Sequence, residues 1–476
     1  MTAEKVLYFF RQIARIPRES GHEEKIVAFL KQFAADRNLE CRVDRVGNVV
    51  IAKPATKGRE DKPTLVIQCH TDMVCEKLDG SSFDFATDPI KIEEKDGWMF
   101  ASETTLGADN GIGIASCLSI LDDGSLEHPR LECLFTVSEE TGLIGAHYLK
   151  PGFITGKTLI NVDDEDEGCF CIGCAGGMTT VGTFTYTGKK IAPGMVISRF
   201  SISGGIGGHS GDDIGKHRIN SVQLLARFVD EAFGYGVDLC SFKAGGKSNA
   251  ITRSGEVTLA IPSRKEDQVV ALFNRWASEV KDEYATSDPD ICFSAEPVTT
   301  VLSAIDRGTA GRLVRALLTV PHGVMEMSPD IPDLVETSNN LASVNMVGHN
   351  RIVVETMQRS SVNSAKAFLT RRVSAAFRQA GAEVKTGSGY SGWKPDVNSH
   401  ITEVCVSAYR RLFGKKPVVH AIHAGLECGL FTEKFPEMDM IAFGPTIRGA
   451  HAPGERLDLA SLDRFYSVLC EVIRTF

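Results

Sequence analysis

The sequence predicts an α/β fold, a mainly parallel sheet flanked by helices, with an α+β domain inserted into it. Three observations carry this. Four short runs, 64–68, 131–137, 158–162 and 440–443, are apolar enough on both faces to be strands covered by helices. Segment 110–121, between the first two, has helical periodicity. Finally, the last of these runs is separated from the other three by more than 270 residues of different texture.

Taken in order, 4–16 and 23–38 alternate apolar and charged residues at helical spacing. Run 64–68 (TLVIQ) leads to His70, and Asp109 stands before helix 110–121. Run 131–137 leads to Glu139 and Glu140, and run 158–162 leads to Asp163. Then come strand 195–203, helix 221–233, strands 236–244 and 250–261, helix 265–284 and strand 291–295. A second, similar course follows: helix 311–318, strands 343–347 and 352–356, and helix 364–380. This reads as a ferredoxin-like αβ-plait, and the similarity of the two courses suggests that it is doubled. Run 440–443 returns to the first sheet and leads through a glycine-rich loop to His451. The expected domains are 1–188 with 386–476, which carry the acids and histidines, and an inserted lid, 189–385.

A chain of 476 residues is long enough for two or three domains. Its 43% hydrophobic and 24% charged content is that of a water-soluble globular protein. A net charge of −9 argues against a nucleic-acid partner. No run approaches the roughly 20 apolar residues of a membrane span, and 6–10 is too short for a secretory core. Thirteen scattered cysteines suit reduced thiols, so a cytoplasmic location is expected. Cys169, Cys171 and Cys174 lie close together, but no second cysteine pair stands at a matching spacing, so they read as structural or incidental thiols.

His70, Asp72, Asp109, Glu139, Glu140, Asp163 and His451 sit directly after strands or at a helix start. In such sheets, sites form at the carboxyl ends of the strands. Two imidazoles and several carboxylates gathered there suit two divalent metals, zinc foremost, with Mn or Co accepted by the same ligands. Singly each residue has a plainer reading. HxD is a polar strand end, EE a solvated pair, Asp109 an N-cap, and the run from Asp163 to Glu167 a solvated acidic loop. Their joint occurrence, in order at strand ends, favours the metal site. Asp72, two residues after His70, points to the same side and is placed to accept its second ring N–H.

The strings HTDMV, LGADNGIGIA, SEETGLIGA, INVDDEDEG, GGHSG, HAGLECG and GPTIRGAHAPGE together resemble the aminoacyl-histidine dipeptidases, a branch of the co-catalytic zinc exopeptidases. The resemblance spans nearly the whole chain. It implies that Asp109 bridges two metals, with His70 and Asp163 on one and Glu140 and His451 on the other. It makes Glu139 the general base for a water held by the metals, and Asp72 the residue that orients His70. It also implies a cis peptide between Asp109 and Asn110. His209 becomes the lid's donor to the oxyanion. Asn249 and Arg359 become holders of the substrate's carbonyl and carboxylate, and Glu427 of its amino group. His423 has no firm role, and His420 and His217 read as structural.

The expected activity is hydrolysis of dipeptides, Xaa-His and β-alanyl-histidine among them. Aminoacylase or metallocarboxypeptidase activity is the runner-up, and a binding protein with a dead site is the reading from a different class. The sequence allows a monomer or a homodimer in which lid residues act across the partner.

Overall fold

The computed structural model describes residues 3–299 and 303–476. The chain forms two compact units. One takes the chain as far as Cys174, with Trp393–Ala421 and Leu426–Phe476; the other is Ala175–Gly392 with Ile422–Gly425. The first division falls at 174/175 rather than at the expected 188/189. The reason is the strand Gly176–Thr185, whose whole length pairs with Arg351–Ser360 of the second unit.

The first unit is built on an eight-stranded sheet. Its centre runs Leu131–Thr136, Leu65–His70, Thr158–Asn161, Asp439–Ala442, with all three pairings parallel. These are the four apolar runs, each within two residues of its expected bounds. The sheet is mixed at its margins. Glu40–Val43 pairs antiparallel with Val49–Lys53, which pairs antiparallel with 131–136, and Cys169–Cys174 lies antiparallel to 439–442. The turn between the first two of these strands is too short for a parallel crossover, so they must be antiparallel.

Because the central strands run the same way, their carboxyl ends share one edge. His70 closes its strand, Glu139 and Glu140 follow Thr136, and Asp163 follows Asn161. Helix Ala108–Leu121 is buried on all sides rather than amphipathic, and packs on the 65–70 strand. Gly113 permits this approach: a Cβ there would overlap Asn110 Oδ1 and crowd Cys69.

The second unit holds a nine-stranded antiparallel sheet, ordered Cys292–Pro297, Met195–Ser203, Gly255–Pro262, Asp238–Gly245, Val335–Val347, Arg351–Ser360, Gly176–Thr185, Glu383–Thr386, with Gly323–Met327 beside Val335–Val347. Helices Ser221–Phe233 and Glu266–Glu283 accompany its first half, and Arg307–Thr319 and Asn363–Gln379 its second. The two α+β courses thus share one continuous sheet and one apolar core. The expected strand 250–261 begins only at Gly255, because 249–252 instead bonds to the segment around His209.

Candidate metal centre

Asp109 lies between two imidazoles. Its Oδ1 is 3.0 Å from His70 Nε2 and its Oδ2 is 3.0 Å from His451 Nε2. Around the first imidazole, Asp163 Oδ1 lies 3.3 Å from the same Nε2; around the second, Glu140 Oε1 lies 3.0 Å from His451 Nε2. The first unit therefore brings all five expected ligands together in two sets that share one carboxylate. Zinc bonds of about 2.0–2.2 Å place neighbouring nitrogen and oxygen ligands roughly 3.3–3.5 Å apart, so the donor set fits small divalent cations. His70, Asp109 and Glu140 also converge by themselves on a common point.

Local backbone delivers these groups. Helix 108–121 does not begin regularly: its N-cap is Gly107, and Asp109 and Asn110 have non-helical dihedrals joined by a cis peptide. Asp109 is thus not an N-cap. Asn110, turned under the site, donates from Nδ2 to Val162 O and to Asp163 Oδ1. Ser138 and His451 hold left-handed φ values of 51° and 64°. Such conformations cost of order 1–3 kcal/mol in a non-glycine residue and persist where the surroundings impose them. Here they sit beside the Glu139–Glu140 pair and at a candidate ligand.

Asp72 is fully buried and organises one side. It lies 3.3 Å from His70 Nδ1 and accepts from Ser20 Oγ and from the backbone N–H groups of Glu139 and Glu140, at 2.7, 3.0 and 3.2 Å. Burial alone would raise its pKa; the contacts with His70, Ser20 and the Glu139 N–H overcome this and hold it at about 2. It therefore stays a carboxylate. One residue braces both the His70 imidazole and the pair containing the candidate base.

Sequence reasoning missed two supports. Glu455 accepts four backbone N–H bonds, from Leu106, Gly107, Ala108 and Asp109, at 2.7–3.2 Å, and so shapes the loop before the bridge. It stands in the quoted motif GPTIRGAHAPGE, which was the available signal. Arg18, also buried, donates to the carbonyls of Thr71, Asp72 and Gly107. Nothing in its local sequence marks it.

Burial and mutual repulsion shift the acids of the cluster. Asp163 is pushed up to about 6, chiefly by burial, although His70 opposes this. Glu139 is raised well above the usual carboxylate range by burial and then by Asp163, Glu427 and Glu140, against the pull of His70. Hydrogen bonds accepted by Asp109 and Glu140 push His451 up to about 11, so without metal it holds a proton at neutral pH. A cation takes that nitrogen only as the proton leaves. Metal affinity must therefore rise with pH, by about tenfold per unit for each proton displaced. Zinc added to weakly buffered, metal-free protein at neutral pH should acidify the solution; binding without proton release contradicts the assignment.

The remaining candidates are not among the five expected ligands. Glu427, at the start of helix Glu427–Lys434, is completely buried. Its Oε2 accepts from Gln68 and Thr136, while its buried Oε1 makes no hydrogen bond, and burial pushes it up to about 7. In the second unit, Arg359 is 3% exposed and donates to Ser210 Oγ and Tyr390 Oη, with Nη2 3.2 Å from His209 Nε2. His209 Nδ1 lies 3.1 Å from Asp212 Oδ2 and 3.4 Å from the Asp212 backbone nitrogen. The Asn249 side chain is exposed, and its carbonyl accepts from Ser210 N. His423 bonds Ser338 Oγ through Nε2 at 2.7 Å.

The chain resembles known proteins along nearly its whole length. The chain is 35% identical over 466 residues to the cytosol non-specific dipeptidase of Escherichia coli strain K12, covering 98% of this chain and 96% of that one. The crystal structure of aminoacylhistidine dipeptidase from Vibrio alginolyticus matches with a TM-score of 0.92 at 37% identity, over 99% of this chain and 96% of the other. A Staphylococcus aureus tripeptidase shares the fold, with a TM-score of 0.59 at 16% identity over 100% and 98%. The profile of peptidase family M20/M25/M40 matches residues 66–475, and the chain belongs to that family.

Proposed function

We propose that this peptidase hydrolyses the peptide bond of dipeptides, Xaa-His dipeptides of the β-alanyl-histidine type foremost, with two divalent metal ions, zinc first. The carrying observation is Asp109, whose two oxygens each face a different imidazole at 3.0 Å. His70 and Asp163 would hold one ion, Glu140 and His451 the other, with Asp109 common to both. Ions bound there supply Lewis-acid polarisation of the scissile carbonyl and a lowered pKa for water.

The chain's own groups do the rest. Glu139 takes the proton of the attacking water and passes it to the leaving amine; its raised affinity for a proton suits both transfers. Asp72 fixes the His70 ring and the backbone of Glu139 and Glu140, so the base is positioned before substrate arrives. For substrate, Arg359 supplies a guanidinium fork suited to the C-terminal carboxylate, His209 a donor for the oxyanion, and Asn249 a partner for the carbonyl. Glu427, with one unsatisfied oxygen, suits an ammonium group.

Among the described residues no helix is long and apolar enough to cross a membrane. The name of the Escherichia coli relative supports a cytosolic place of action.

A dipeptide panel with metal analysis tests the proposal. Two metals per chain and release of histidine from Xaa-His substrates are expected. Cleavage confined to N-acylated amino acids would instead make the chain an aminoacylase, and cleavage confined to C-terminal residues of longer peptides a carboxypeptidase. No turnover would leave a binding protein. A mixture of Glu139→Gln and His209→Ala chains regains activity only if a homodimer shares its lid residues.

A further inference from the structure

The acids of the 163–167 run are not a solvated loop: most have specific partners. Asp163 faces His70, Asp166 pairs with Arg448, and Glu167 takes Tyr409 and Arg464. Asp164 turns the other way. Its Oδ1 accepts from Asp166 N at 3.0 Å, while Oδ2 lies 3.7 Å from His420 Nε2, too far for a hydrogen bond. Cys171, fully buried, completes a group of three whose ligand atoms all lie within 4.8 Å of one another. His420 Nε2 is a buried nitrogen with no hydrogen-bond partner. His420 Nε2 thus faces a carboxylate and a thiol without a hydrogen bond to either, while the thiol donates to Gly173 O at 3.2 Å.

We infer that Asp164, Cys171 and His420 form a third metal site, for a single zinc-like divalent cation, separate from the Asp109 cluster. The donor set is diagnostic. A thiolate with an imidazole selects Zn over Mg, Ca or Mn, which prefer oxygen. Cys171 as thiolate and Asp164 as carboxylate together neutralise a divalent charge. Binding releases the thiol proton to solvent, since a coordinating thiol is deprotonated. Tetrahedral zinc places N, O and S ligands about 3.3–3.6 Å apart, so the three atoms draw in by roughly 1 Å or less. The frame around them is firm. Cys171 lies on Cys169–Cys174 and His420 on Val418–Ile422, neighbouring strands of the sheet. The Asp164 backbone packs against Gly444 so closely that a Cβ there would overlap its carbonyl oxygen.

The ion would pin the loop that carries Asp163 to the edge of the sheet. It is a positioning site with one coordination place left for water. His420 and Cys171, which by sequence read as structural or incidental, thereby acquire a chemical role.

Cobalt titration of the full chain, freed of metal by chelation, tests this without relying on activity. No thiol belongs to the Asp109 cluster, so a thiolate-to-cobalt charge-transfer band in the near ultraviolet reports the third site alone. The band is expected to develop to one equivalent in the native chain and to vanish in Cys171→Ser, with metal content falling by one per chain. His420→Ala, at a half-exposed position, should weaken cobalt binding to that band at least about tenfold, and decides the matter if the buried serine variant does not fold. Absence of the band at saturating cobalt overturns the inference. So does a band that survives Cys171→Ser, or one whose cobalt affinity is unchanged in His420→Ala. If the Asp109 cluster held no metal, the band would still appear, so the two readings fail separately.

Discussion

Glu139→Gln is expected to lower kcat by about 10²–10⁴, the span a positioned general acid–base contributes, while leaving metal content unchanged. The substitution is nearly isosteric and keeps the backbone N–H that Asp72 accepts. None of the short contacts around the two imidazoles involves the Glu139 carboxylate. KM should move little, because the proton transfers belong to the transition state rather than to binding. Steady-state kinetics on an Xaa-His dipeptide, with metal analysis of the same sample, separate the possibilities. Full retention of kcat removes Glu139 from the mechanism; loss of kcat together with metal makes it a ligand instead.

Asp109→Asn is expected to be more damaging and to act through both halves of the site at once. The carboxylate faces two imidazoles with two oxygens, and an amide offers one weak acceptor and an NH₂ that repels a cation. Loss of an outer partner of a metal ligand typically costs 10–100-fold. Loss of a shared ligand should exceed that, with kcat/KM falling more than about 10³-fold and metal content dropping below one ion per chain after gel filtration. Metal content that falls only from two to one means that Asp109 serves one ion and does not bridge. The surroundings that hold Asp109 are independent of its side chain: Glu455 grips the preceding N–H groups and Asn110 reaches Asp163. The variant should therefore fold.

The site was more legible than the fold around it. His70, Glu139, Glu140 and Asp163 announce themselves because each ends a run apolar on both faces, and the parallel pairing of those runs puts them on one edge. His451, remote in sequence, follows from the parallel pairing of 439–442 with 158–161. What escaped was structure held by buried polar groups, which hydrophobic pattern cannot reveal. The strand Val335–Val347 was visible only from Ser343, because Ser338, Asn339 and Asn340 interrupt the apolar pattern. They are nonetheless completely buried, Asn339 bonded to Pro321 O and Gln358, and Asn340 donating from Nδ2 to the carbonyls of Ser248 and Ala250. Arg18 and Glu455 escaped for the same reason. Each is an ordinary charged residue in sequence, and its partners are backbone groups brought near only by folding.

The acidic run shows the opposite limit. By composition, Asp163 to Glu167 is indistinguishable from a solvated loop. In the structure Glu165 is buried enough for its pKa to climb to about 8, first through desolvation and then through Asp109 and Asp163. A sequence gives the density of charge; only the fold says which charges share a low-dielectric space.

The most direct test of the central claim is anomalous X-ray diffraction at the zinc edge from crystals of the zinc-loaded chain. The account predicts two peaks flanking the Asp109 carboxylate, about 3.5–4 Å apart, one beside His70 and Asp163 and the other beside Glu140 and His451. A single peak there, or two peaks that Asp109 does not join, would contradict it.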